Sequence, residues 1–291
     1  MCNSMLALAL TLISDPTLWF GAPVRLDSFS DPTIGNTDIA SDGGSRICVV
    51  WDGREGSQPE MAWASASADG GYSWGIPQQV ADSENAGPFK VRVCSDTSGV
   101  FHSVWEDYRG PEPYAAYYSR SVDGGATWLQ PNMRISIEGA RCTSPAIACS
   151  EDGERLVCVY RNWEDNGRMY SSCSADGGLN WDIGKAVGDD TGPQYFAEVA
   201  WIGGSTFIAV WEDGRPSGGN CTIYGSISTD GGISWLQPNM PIPTDGHGIE
   251  SYSIRMVHVG AIIHLTWLSQ FWTDAIHTYV YYQRSSDGGL S

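Results

Sequence analysis

Two acids and an arginine share one recurring position in this 291-residue chain. Thirteen residues before each aromatic that ends a recurring apolar run stand Asp38, Arg92, Ile147, Glu198 and Ile254. Carboxylates and a guanidinium brought together could grip a polar ligand or move a proton on it. They could equally neutralise one another, since a charge left unpaired away from water is costly. An internal ion-pair network is the favoured expectation. Whether these groups meet at all depends on the elements that carry them.

Those elements are set by a repeat. Ser121-Val122-Asp123-Gly124-Gly125-Ala126-Thr127-Trp128 reads Ser-x-Asp-Gly-Gly-x-x-Trp, and the pattern returns from Ser67 to Trp74, Ser174 to Trp181 and Ser228 to Trp235. A further copy opens at Ser285-Ser286-Asp287-Gly288-Gly289. Its aspartates lie 54, 53, 54 and 57 residues apart, and a fixed period with one turn per period marks a repeat architecture. The octet itself is turn chemistry. The Asp carboxylate accepts backbone N–H groups a few residues on, the paired glycines take positive φ cheaply, and the Trp returns into a strand to bury its ring. Such a unit joins two antiparallel strands.

The octet resembles the Asp-box (bacterial neuraminidase) repeat found in sialidases and many other β-propellers. The resemblance implies a propeller in which Asp69, Trp74, Asp123, Trp128, Asp176, Trp181, Asp230, Trp235 and Asp287 are structural. It also implies that these boxes lie on the face away from any ligand site.

Each period reads as four strands. In the second they are Phe89 to Ser95, Val100 to Trp105, Tyr114 to Ser121 and Thr127 to Ile135, rich in Val, Ile, Tyr and Trp and punctuated by Gly, Asp and Pro. No segment carries a helical period. The expected fold is all-β: a five-bladed propeller of four-stranded antiparallel blades at 36–82, 89–136, 144–188, 196–244, and 252–291 joined by 16–27. Trp19 precedes Trp74 by 55 residues, so the N-terminal strand is expected to complete the last blade and hide its edge. A six-bladed ring or a piece of a larger propeller is the alternative. Residues 16–291 form one domain on this reading. The apolar segment 1–15 is a signal remnant or an extra strand.

A second signature ends each second strand: Val50-Trp51-Asp52-Gly53-Arg54, Val104-Trp105-Glu106-Asp107-Tyr108-Arg109 and Val210-Trp211-Glu212-Asp213-Gly214-Arg215. The third blade has Val159-Tyr160-Arg161-Asn162-Trp163 and the fifth Thr266-Trp267-Leu268. A motif copied into several blades serves what every blade needs, so acid and Arg are expected to brace each loop. Function is sought where the repeats differ. The loops entering the inner strands carry Glu84-Asn85, Glu138 and Arg141, Asp189-Asp190 with Gln194-Tyr195, and Asp245, His247, Glu250 and Tyr252, with Arg255 just beyond. A mix of carboxylates, amides and aromatic faces suits a sugar. The ligand-binding candidates are therefore Arg92, Arg141, Tyr195, Glu198, Glu250, Tyr252 and Arg255. His247 with Asp245 and Glu250 has metal-binding residue types, but a solvated loop is the favoured reading. No metal and no cofactor are expected.

The resemblance also supplies a catalytic pattern to look for. Sialidases of this fold clamp a carboxylate with three arginines and use a Tyr nucleophile activated by Glu, with an Asp acid/base. Arg92, Arg141 and Arg255 offer three cations, Glu198 or Glu250 an acid, and Tyr195 or Tyr252 a phenol. Asp38, Arg92, Glu198, Arg255 and Tyr252 are the catalytic candidates. The family's Arg-Ile-Pro motif is missing: Asn36-Thr37-Asp38-Ile39-Ala40 stands at its place, and Arg141-Cys142-Thr143-Ser144-Pro145 only echoes it in the third blade.

The formal charge of −18, with Lys90 and Lys185 the only lysines, argues against nucleic acid as a partner. The apolar stretch 5–13 is too short to span a bilayer, so no membrane insertion is expected. Eight cysteines without Cys-x-x-Cys spacing argue against zinc. Buried free thiols are expected for most of them, with a disulfide between Cys149 and Cys158 as an alternative. The functional expectation is a monomeric, extracellular or cell-surface module that binds carbohydrate or protein through the loop face opposite the Asp boxes. A sialidase-like glycoside hydrolase with a diverged site is the alternative, and a structural repeat domain of a larger secreted protein is a third.

Overall fold

Tight Asp-box turns and short polar loops fold this chain back on itself into antiparallel sheets, each of consecutive strands. The computed structural model describes residues 23–83, 87–109, 114–189, 192–215, 221–243, 250–272 and 276–289. Blade 1 holds β1 (Pro32–Ser41), β2 (Ile47–Glu55), β3 (Met61–Ser67) and β4 (Gln78–Gln79). Blade 2 holds β5 (Phe89–Ser95), β6 (Phe101–Asp107), β7 (Ala115–Ser121) and β8 (Met133–Arg134). Blade 3 holds β9 (Cys142–Cys149), β10 (Leu156–Asn162), β11 (Arg168–Ser174) and β12 (Asp182–Ala186). Blade 4 holds β13 (Gln194–Gly203), β14 (Thr206–Asp213), β15 (Thr222–Ser228) and β16 (Met240–Pro241). Blade 5 holds β17 (Glu250–Val259), β18 (Ile262–Trp272) and β19 (Ile276–Ser285). Strand order follows chain order in every sheet, so the fold is the expected five-bladed β-propeller.

Apolar burial lies between blades rather than inside them. Four clusters join consecutive blades. Val50 and Ala64 meet Val93 and Phe101, and Val104 and Tyr118 meet Leu156 and Cys158. Val157 and Val159 meet Phe207 and Trp211, and Ile208 and Val210 meet Ile263 and Trp267. The second strands β6 and β10 are buried along their whole length, including the polar residues His102, Ser103, Glu106 and Asp107 of β6 and Arg161 and Asn162 of β10.

The boxes fold alike. Ser121 Oγ donates to Asp123 at 2.7 Å and accepts the Gly125 N–H at 2.8 Å, while Asp123 takes the Thr127 N–H and hydroxyl at 2.9 and 2.6 Å. The same bonds recur around Asp69, Asp176 and Asp230. Both glycines of every box have positive φ. The Trp of the second, third and fourth boxes packs on the blade before its own: Trp128 joins the blade 1 cluster, Trp181 sits edge-on to Tyr118 at 5.0 Å, and Trp235 donates to Ser171 Oγ at 2.9 Å, whereas Trp74 donates to Gly71 of its own box at 3.1 Å. Between blades 4 and 5 an apolar cavity of about 260 Å³ includes Gly225, which stands where Ser171 stands in blade 3.

Several expectations are corrected. The second strand of blade 2 runs Phe101–Asp107, and its fourth strand pairs only at Met133–Arg134, because Pro131 has no N–H to donate to the ladder. Blade 5 has three strands among the described residues. Of its expected closing strand, residues 16–22 lie outside the described residues, and 23–27 form no ladder. The chain at 25–31 instead enters blade 1, where Phe29 packs edge-on to Trp63 at 5.1 Å and Ser30 donates to Glu55 at 2.5 Å. All seven described cysteines are free thiols, so Cys149 and Cys158 are not bridged.

Candidate functional site

The inner strands β1, β5, β9, β13 and β17 neighbour one another in that order. Their registers place Asp38 opposite Val50, Arg92 opposite Val104, Ala146 opposite Val159, Glu198 opposite Val210 and Arg255 opposite Thr266. The equivalent residues in blades 3 and 5 are therefore Ala146 and Arg255, where counting along the sequence gives Ile147 and Ile254. Between the pairs three residues beyond this position, the inner hairpin holds six residues in blade 3 (150–155), four in blade 5 (259–262) and five in the others, which shifts the count by one. Ile147 and Ile254 are buried in the seams between blades.

Two acids and two arginines thus share the position. Glu198 Oε1 accepts from Arg255 at 3.2 Å and from Arg92 at 3.4 Å. Asp38 accepts the backbone N–H groups of Val93 and Ile39, both at 3.0 Å. Burial pushes both carboxyl groups above their usual range, against the pull of Arg92 and Arg255. The charges balance, and both acids are already engaged. Tyr252 accepts from Gln270 at 3.0 Å. Glu250 pairs in register with Gln270, and Asp245 and His247 lie outside the described residues. Among the described residues no cluster of His, Cys, Asp and Glu is arranged to hold a metal ion.

Above this ring every inner strand carries a bulge. In blades 2 to 5 its residue is a non-glycine with positive φ: Lys90, Ser144, Phe196 and Ser253. Such conformations cost about 1–3 kcal/mol each and persist only where the surroundings impose them. The acid of the Trp-acid signature is one such support. Asp52 accepts the Asn36 N–H at 2.9 Å within blade 1. Glu106 reaches into blade 3 to take the Ser144 N–H at 2.6 Å, and Glu212 reaches into blade 5 to take that of Ser253 at 2.7 Å. The bulges turn Lys90, Ser144 and Phe196 to the mouth, where all three line a cavity of about 170 Å³ beside Arg92, Glu198 and Arg255.

The Asp and Arg of the same signature form a clasp. Asp213 accepts the Trp211 indole N–H at 2.8 Å and pairs with Arg215 at 2.8 Å, and Arg215 pairs with Asp189 at 2.7 Å while stacking on Tyr224. Blade 2 repeats this with Trp105, Asp107, Arg109, Asp82 and Tyr117. The bracing role expected of the motif is visible in blades 2 and 4. In blade 1 Arg54 is exposed.

Blade 3 departs from the others, and a second cavity of about 270 Å³ opens there, adjoining the first. Arg161 stands where blades 1, 2 and 4 carry the acid. It is 7% exposed, stacks on Trp163 at 3.7 Å and Tyr195 at 4.3 Å, and its Nε has no hydrogen-bond partner. Arg141 stacks on Tyr114 at 4.6 Å and on Trp163 at 4.7 Å, and its Nε is likewise unpartnered. Neither arginine carries an ion pair among the described residues. Gly167 makes room for Arg161: a Cβ there would lie 2.5 Å from the guanidinium. Lys90 completes the set, paired with Glu106 at 2.9 Å and bonded to Ser144 Oγ at 2.9 Å. Phe89, Tyr108, Trp163 and Phe196, each 41–50% exposed, form the rim.

The structure therefore divides the sequence candidates. Arg92, Glu198, Arg255 and Asp38 meet on the axis, whereas Arg141 and Tyr195 belong to the blade 3 cavity. The three arginines named from the sequence do not converge. Arg161, Lys90, Trp163 and Phe196 were not among the candidates. The one sequence signal for them is the arginine that replaces an acid in the third copy of the signature.

Comparison with known proteins agrees with this architecture. A protein of unknown function from Dyadobacter fermentans superposes with a TM-score of 0.61 at 14% identity, over 88% of this chain and 81% of that one. A Penicillium chrysogenum alpha-L-arabinanase complexed with arabinobiose gives 0.58 at 15%, over 81% and 77%. The Hadza microbial sialidase Hz136 gives 0.56 at 16%, over 90% of this chain and 57% of the sialidase. At these identities the likeness carries the fold alone. No curated protein matches the chain. The model of the BNR repeat-like domain matches residues 36–191, the first three blades and more than half of the sequence, so the chain belongs to the BNR repeat-like domain family.

Proposed function

We propose that this protein binds a glycan on its loop face, in the cavity between blades 2, 3 and 4. The observation that carries the reading is the pairing of an exposed aromatic rim with buried polar groups that lack partners. Phe89, Tyr108, Trp163 and Phe196 offer faces for sugar C–H patches, and Arg141 and Arg161, whose buried Nε atoms have no hydrogen-bond partner, line the space between them. A cavity of this size lies just below the roughly 300–1,000 Å³ usual for small-molecule sites, which suits a single sugar ring. Superposition on an arabinanase complexed with arabinobiose and on a sialidase supports a glycan-related role.

Hydrolysis is the second reading, and Asp38 with Glu198 favours it: burial raises both carboxyl groups, as a general acid requires. Binding is preferred because Glu198 already holds two arginines and Asp38 two backbone N–H groups. The test is a glycan array run beside a panel of fluorogenic aryl glycosides. Binding that Trp163→Ala and Phe196→Ala weaken, with no turnover, supports the module. Turnover abolished by Glu198→Gln makes the axial site an active centre. No binding and no turnover removes both readings.

A further inference from the structure

Arg161 inverts a rule that the other blades follow. At its position Asp52, Glu106 and Glu212 each accept a backbone N–H from a bulge. Blade 3 has a cation there instead, buried to 7% exposure, with no carboxylate among the described residues to neutralise it. Burying an ion without a counter-ion is strongly unfavourable. The stacks on Trp163 and Tyr195 return part of this through cation–π attraction. Burial pulls the Arg161 pKa down, the Tyr195 hydroxyl that hydrogen-bonds it opposes this in part, and the neighbouring charge of Arg141 adds to the lowering, so the two cations act on each other. Both guanidinium carbons lie within 5 Å of the one Trp163 ring. In a chain of formal charge −18, Arg141, Arg161 and Lys90 line one cavity against the single carboxylate of Glu106, which Lys90 pairs, and so form a local electropositive site.

The platform is also fixed before anything binds. The Trp163 indole N–H donates to Thr143 Oγ1 at 2.9 Å, and its backbone N–H donates to the Arg141 carbonyl at 2.9 Å. Asn162 caps the short 3₁₀ turn at Trp163–Asp165 by accepting the Glu164 N–H. Stacked guanidinium groups that no carboxylate pairs suit the fork geometry in which arginine holds a planar or tetrahedral oxyanion.

We propose that this cavity selects a sugar ring bearing an anionic group, a carboxylate or a sulfate ester, with Arg161 and Arg141 as its anchors and Lys90 as an accessory cation. The proposal rests on the glycan reading above and narrows it. The rim of exposed aromatics favours a sugar over the flexible side chain of an acidic peptide, because a ring can stack while its anionic substituent reaches inward.

The test titrates the full chain by calorimetry with trigalacturonate, a sulfated galactan oligosaccharide, the neutral galactan trisaccharide and poly-glutamate. Tighter binding of trigalacturonate or the sulfated probe than of the neutral one is expected, weakening with added salt. Comparing the two anionic probes shows which group the cavity takes. Arg161→Met and Arg141→Met should each weaken that binding about tenfold or more. Arg161→Met should also leave Tm unchanged or raise it, because it removes an uncompensated buried charge. A merely structural arginine would lower Tm on removal. Equal binding of neutral and anionic sugars overturns this inference and leaves the glycan reading standing, as does anionic-sugar binding untouched in Arg161→Met. Failure of every sugar overturns both, as does binding of poly-glutamate alone.

Discussion

Glu106 of the second blade accepts the backbone N–H of Ser144 in the third at 2.6 Å, and the same carboxylate pairs with Lys90 at 2.9 Å. One acid thus ties two bulges of neighbouring blades, both held in left-handed conformations. Glu106→Ala would leave the Ser144 donor and the Lys90 charge without it. A loss of about 1–3 kcal/mol is expected, measured by urea unfolding, with Glu106→Gln losing less. An unchanged unfolding midpoint for Glu106→Ala would show that the bulges hold themselves.

Arg215 and Arg54 both close a copy of the signature, Arg215 four residues after its Trp and Arg54 three, and their settings differ. Asp213 is fully buried and paired with Arg215, whereas Arg54 is exposed. Arg215→Met strands a buried carboxylate and should cost about 3–5 kcal/mol. Arg54→Met should stay within about 0.5 kcal/mol of the parent, as surface substitutions usually do. Equal effects at the two positions would contradict the clasp.

How much of this was legible follows from what repetition encodes. The Asp-box hairpins and the five-fold period could be read because Asp69, Asp123, Asp176, Asp230 and Asp287 recur in nearly constant steps. The axial position was read correctly for Asp38, Arg92 and Glu198. It slipped by one residue at Ile147 and Ile254, because hairpin length varies between blades and a one-residue slip sends a side chain to the opposite face. The blade 3 cavity was hidden for a different reason. Its walls come from three blades, and bulges that sequence periodicity cannot register turn Lys90 and Phe196 toward it.

His102 gives the fold a pH dependence. It is buried with Nδ1 2.8 Å from the Tyr118 hydroxyl, and burial, with a smaller push from Arg120, lowers its pKa to about 3. The unfolded residue titrates near 6.5. With the folded value depressed, the unfolded state takes the proton first, so stability is complete above about pH 6.5 and drains away as pH falls toward 3. The full effect is on the order of 5 kcal/mol. His102→Gln should flatten the fall in stability between about pH 7 and pH 4.5, while carboxylate titrations common to both proteins cancel. Parallel profiles would place the acid sensitivity elsewhere.

The Asp boxes make a prediction independent of any ligand. Asp123→Ala removes the acceptor for the Thr127 N–H and hydroxyl and for Ser121. A cost of about 1–3 kcal/mol in chemical denaturation is expected. The glycan-array profile should not change, since the box lies on the face opposite the cavity. A lost binding profile in a folded Asp123→Ala protein would contradict that separation.

The central claim concerns where a sugar sits, and a crystal structure of the chain soaked with its best array ligand tests it most directly. A ring stacked on the aromatic rim beside Trp163, with a polar substituent reaching Arg141 and Arg161, is the result the account predicts. A sugar seated only on the axis, beside Arg92, Glu198 and Arg255, would contradict it.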